Sequence, residues 1–90
     1  MIRLTIKSDT CYTVPDSDLF EAFQRLAAYE NLYDDLVANM VAIPQELGKL
    51  KAAGKEKTVR YREMLGQKLI NNQIIALFER HGISFANVED

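Results

Sequence analysis

Five cations stand close together between positions 55 and 68: Lys55, Lys57, Arg60, Arg62 and Lys68, with Tyr61 set among them. Ammonium and guanidinium groups at this density neutralise phosphates, and an exposed tyrosine can stack on a base. On a helix Lys57, Arg60 and Lys68 share one side, within about a quadrant. Nucleic acid is therefore one candidate partner of this segment. The competing reading is that the cations meet acidic surface, within the chain or across a dimer. The formal net charge of −2 favours this second reading, because a dedicated nucleic-acid binder is basic overall.

Other chemistry is thin. The chain has one cysteine, Cys11, and one histidine, His81. Cys11 falls in a strand pattern, where a cysteine is expected to act as a small buried hydrophobe. His81 ends a helical pattern, a place the helix dipole favours without any catalytic role. Glu30, Asp34 and Asp35 form a short acidic group, with Glu30 and Asp34 one helical turn apart. A hard cation wants more oxygen ligands than these supply, so a solvated polar face is the expectation. No phosphate-binding glycine loop, nucleophile elbow or metal-binding cysteine–histidine spacing occurs. The chain is expected not to be an enzyme and to carry no cofactor and no metal.

The elements that would position these residues follow from periodicity. Ile2, Leu4 and Ile6 alternate with Arg3 and Thr5, which predicts a half-buried strand over 2–6. Ser8-Asp9-Thr10 is turn chemistry, and residues 11–14 can return as a second strand before Pro15 stops the pairing. Such a hairpin is marginal alone and must lie on helices. Asp16, Ser17 and Asp18 can cap the first helix, with Glu21 completing a capping box on Asp18. Apolar residues then recur at helical spacing through Leu19, Phe20, Phe23 and Leu26, and again from Leu32 to Val41. A break near Glu30-Asn31 is expected between these two series. Pro44 either kinks the helix or opens a new one. Gly54 reads as a left-handed helix stop. Thr58 caps a long last helix over 57–82, which Gly82 ends. Within that helix Gly66 suggests a close helix crossing. Asn71-Asn72-Gln73 spans enough of the circumference that at least one amide must face inward or towards a partner. Residues 83–88 are apolar enough for a third strand or a docked tail.

Charge is unevenly spread. Between Asp9 and Gln45 seven acids oppose one base, Arg25; from Glu46 to Lys68 seven bases oppose three acids. The chain is a charge dipole in sequence, and the positive stretch can pack near the acidic half within the chain or across a dimer.

The stretch Arg25-Leu26-Ala27-Ala28-Tyr29-Glu30 resembles a segment that recurs in short uncharacterised proteins of phages and prophages in Gram-positive bacteria. Leu50 to Lys55, Thr58 to Glu63 and the ending Leu77 to Ile83 have the same character. The resemblance implies a mobile-element origin and carries no functional residue with it.

Together these readings predict a single α+β domain over residues 1–90, mostly helical. An N-terminal β-hairpin (1–15) packs on an antiparallel helical assembly. That assembly is built from helices over 16–53 and a long C-terminal helix over 57–82 as its spine, with 83–90 a short strand or tail. The single cysteine, the lack of a signal-peptide pattern and the lack of a membrane-length apolar run make cytoplasmic the expected location, with no membrane contact. The expected function is binding. The partner is another copy of the chain or another protein, with nucleic acid at Lys55, Lys57, Arg60, Tyr61, Arg62 and Lys68 as the alternative.

Overall fold

The computed structural model describes residues 1–85. It is α+β and mostly helical, in the order β1 (Ile6–Ser8), β2 (Cys11–Thr13), a 3-10 turn (Asp16–Asp18), α1 (Leu19–Ala52) and α2 (Val59–Arg80). The chain divides into two compact units, Met1–Tyr33 and Asp34–Asp90. Among the described residues no helix is long and apolar enough to cross a membrane.

In the first unit β1 and β2 pair antiparallel, with Ile6 opposite Thr13, Lys7 opposite Tyr12 and Ser8 opposite Cys11. Asp9 opens the two-residue loop with a left-handed φ of 47°, a conformation that aspartate tolerates better than most residues. The ladder thus begins at Ile6, and the expected strand over 2–6 is not formed. Alternation alone makes no strand where no neighbour supplies the ladder hydrogen bonds. Arg25 and Tyr29 of α1 hold this leading segment instead. The Arg25 guanidinium donates to the Ile2 carbonyl, and the Tyr29 hydroxyl donates to Met1 Sδ at 3.4 Å. Leu4 and Val14, both half-buried, share an apolar groove of about 480 Å³ with Ala22, Leu26 and Tyr29. Cys11 is exposed, contrary to expectation, because every residue of this short ribbon stays open to solvent.

The capping box is not made. The Asp18 N–H is taken by the Pro15 carbonyl at 2.9 Å in the 3-10 turn. Glu21 turns instead to Arg25, one helical turn on, at 2.7 Å. Nor does the helix break at Glu30-Asn31. Neither residue lacks a backbone N–H or adds a glycine's backbone freedom, and α1 runs through both.

The second unit pairs the C-terminal half of α1 with α2. Leu36, Met40, Ile43, Leu47 and Leu50 follow one another at alternating steps of four and three residues. Tyr61, Met64, Lys68, Asn71, Ile75 and Phe78 do the same along α2, and all eleven are buried or half-buried. This is the heptad spacing of a coiled-coil seam. The helices run antiparallel around residues 53–58, so that Arg60 reaches Glu46 at 3.0 Å. Both helices end in the same way. Gly54 has φ 73°, with Lys55 N–H on the Leu50 carbonyl at 2.8 Å and Gly54 N–H on that of Lys51 at 3.0 Å. Gly82 has φ 85°, with Ile83 N–H on the Phe78 carbonyl and Gly82 N–H on that of Glu79, each at 3.0 Å. These are Schellman closures, for which glycine is suited because it has no Cβ to clash in the left-handed region. Beyond the second one Phe85 is buried, its ring 5.9 Å from that of Phe78. Residues 83–85 form no strand, and the rest of the expected third strand lies outside the described residues.

Candidate functional site

The turn of the second unit positions the basic segment. Thr58 is extended (φ −82°, ψ 157°), and its hydroxyl oxygen accepts the Tyr61 N–H at 3.2 Å, satisfying one of the free amides that open α2. The same hydroxyl donates back to the Lys55 carbonyl at 2.7 Å. One side chain therefore fixes both the connection and the start of the helix.

This local structure divides the predicted cation set into three. Lys55, Lys57 and Arg62 project as exposed cations, and among the described residues no carboxylate pairs with them. Arg60 is exposed but engaged with Glu46. Tyr61 and Lys68 fall on the seam positions of α2 and are half-buried. Tyr61 therefore offers only part of its ring as a stacking surface. Among the described residues no three carboxylate, histidine or cysteine side chains gather to hold a metal, Glu30, Asp34 and Asp35 included.

Lys68 belongs to a different constellation, one that periodicity did not reveal. Pro44 lies inside α1 and has no N–H, so the Met40 carbonyl loses its helical donor. Across the seam stands Asn71, which is 4% exposed. Its Oδ1 accepts from Gln67 Nε2 at 3.2 Å, and its buried Nδ2 has no partner among the described residues. Asn39, Met40, Pro44, Lys68, Asn71 and Asn72 line a cavity of about 180 Å³, with Ile43 at its wall. A lysine and three amides thus share one small space at the point where the backbone ladder of α1 is interrupted. The signal in the sequence was the pair of anomalies itself, a proline within one helical pattern and an amide run within the other. Their coincidence depends on the register of two helices.

Gly66 makes no close crossing among the described residues. A Cβ built there meets nothing within 4 Å. No protein-family model, curated protein or solved structure matches the chain.

Proposed function

We propose that the chain is a helical interaction protein that acts through binding rather than catalysis, as an assembly of its own copies. A phage or prophage origin is part of this reading and rests on the resemblance of Arg25 to Glu30. The observation that carries the proposal is the apolar surface the chain leaves uncovered. Phe20 and Phe23 on α1 are 75% and 62% exposed, and Ile70 and Leu77 on α2 are 52% and 48% exposed. Phe20 and Phe23 are three residues apart and Ile70 and Leu77 seven apart, so each pair lies along one helix face. Apolar rows of this kind mark surfaces that meet protein.

Charge complementarity selects a second copy. In the helical pair the turn end carries exposed Lys49, Lys51, Lys55, Lys57 and Arg62 against Glu56 and Glu63, while the other end carries exposed Asp34, Asp35 and Glu79 against Arg80. Two copies related by a two-fold axis and running in opposite directions set each cationic end against an acidic one. Sedimentation equilibrium tests the proposal. The wild type should exceed monomer mass at micromolar concentration, and Ile70→Glu with Leu77→Glu should return it to monomer with unchanged helical circular dichroism. A wild type that stays monomeric at the highest soluble concentration sinks the reading.

Exposed Lys55, Lys57 and Arg62, unpaired among the described residues, favour a second reading, nucleic-acid binding at the turn. Fluorescence anisotropy with labelled duplex and single strands decides it. Binding should weaken steeply with salt and vanish in Lys57→Glu/Arg62→Glu; no binding at low salt ends it.

A further inference from the structure

We infer that two copies associate through α2, antiparallel and in one register, with Leu77 of each copy against Gly66 of the other and Arg80 against Glu63. This rests on the self-association proposed above and adds the face, the orientation and the register. Each seam residue of α2 has a counterpart two positions later: Glu63, Gly66, Ile70, Gln73, Leu77 and Arg80. Two residues turn a helix by about 200°, so this row repeats the heptad spacing on the face opposite the seam. Ile70 and Leu77 are its exposed apolar residues. Glu63, Gln73 and Arg80 are exposed as well, and among the described residues neither Glu63 nor Arg80 has an ion-pair partner. A Cβ built on Gly66 meets nothing within 4 Å, so the row has an open notch there. The same shift of two along α1 gives Ala38, Ala42, Gln45, Lys49 and Ala52, with no large apolar side chain among them. Of the two helices, α2 is the one that offers a second seam.

The orientation follows from what each residue would meet. A parallel pair sets Glu63 on Glu63 and Arg80 on Arg80, and it leaves Gly66 facing Gly66 across a gap. An antiparallel pair about a two-fold axis level with Asn71-Asn72 gives every residue of the row a complement. If residue i meets j under such an axis, j also meets i. Leu77 then fills the notch at Gly66, Ile70 lies against the stem of Gln73, and Arg80 meets Glu63, each twice. The two Gln73 residues stand about 4.5 Å apart along the helix axis, at 1.5 Å per residue, so their amides can bond to each other. A polar residue inside a seam fixes its register. Sliding one copy by a heptad separates Arg80 from Glu63 at both ends. The same orientation sets the cationic turn of each copy towards the acidic end of the other.

Charge reversal followed by sedimentation equilibrium tests this. Glu63→Arg sets Arg on Arg in both end layers, and Arg80→Glu sets Glu on Glu. Each variant alone should associate about tenfold or more weakly than wild type. An equimolar mixture of the two should recover the wild-type mass, because every end layer then pairs Arg with Glu. The double variant Glu63→Arg/Arg80→Glu should recover it as well. Both side chains are exposed, so all variants should keep the helical circular dichroism of wild type. Single variants that associate as tightly as wild type overturn the inference and leave self-association standing through another surface. Single variants that dissociate while neither the mixture nor the double variant reassembles also overturn it, because the two charges then do not face each other. A wild type that stays monomeric sinks this inference together with the self-association proposal.

Discussion

Replacing Asn71 by leucine should make the protein more stable. Asn71 is 4% exposed and its Nδ2 is unpartnered, so the native state carries a desolvated donor; such a group costs about 1–3 kcal/mol. The variant loses the bond from Gln67, worth about 1 kcal/mol net. Gln67 is exposed, so its amide returns to water without further penalty. Leucine adds apolar burial beside Met40 and Ile43, worth about 1 kcal/mol for the few methyl-sized groups gained. The balance is a gain of about 2 kcal/mol, which for a domain of this size corresponds to a rise in Tm of roughly 8–16 °C. The assay is thermal and urea unfolding of wild type and variant, followed by circular dichroism. The urea midpoint should rise while the m-value stays constant. A variant that is less stable than wild type would refute the reasoning, because Nδ2 would then be satisfied in solution and its removal would forfeit a real hydrogen bond.

Gly66→Ala should stabilise by about 1 kcal/mol, since helix propensity improves and the new methyl group meets open space; loss of stability in chemical denaturation would contradict this. If the same variant falls in sedimentation mass, Gly66 lies against a second copy. Gly54→Ala should cost about 1–2 kcal/mol, because φ 73° strains an L-residue, and an unchanged unfolding midpoint would show that the Schellman closure does not persist in solution. Glu46→Ala should cost no more than about 1 kcal/mol, as Arg60 is exposed and Glu46 only half-buried; the loss should fade in high salt, and a salt-independent loss would argue that the pair is not electrostatic in origin. Cys11 should react with a thiol reagent at the rate of an open thiol in the native protein, whereas slow labelling that tracks unfolding would contradict its exposure.

Features governed by local backbone chemistry were legible in the sequence. Gly54 and Gly82 stop their helices and Thr58 starts α2 because those tasks depend on φ and on one nearby side chain. The first strand was misplaced by several residues because its position depends on where a partner strand stands, which the Asp9-Thr10 loop decides. The expected break at Glu30-Asn31 answered to a change in apolar pattern, but a helix continues unless a residue actively interrupts it. Pro44 does interrupt the ladder and is still carried inside α1. The division of the cations had no local signature. Whether Arg60 finds Glu46, and whether Lys68 turns into the seam, depends on how two helices are set against each other. The Pro44 cavity was hidden for the same reason.

The short connection at residues 53–58 also shapes the folding path. The contacts flanking it join residues close in sequence, beginning with Glu46 and Arg60, so little loop entropy is lost in forming them. Helical hairpins of such low contact order fold in milliseconds or faster. A pair closed from its turn outward comes first to Leu47 and Met64, then to the layer of Pro44, Lys68 and Asn71, and only afterwards to Leu36 and Ile75. The least apolar layer of the seam is therefore a gate midway along the zipper, and the groups that fill it decide how readily the second half closes.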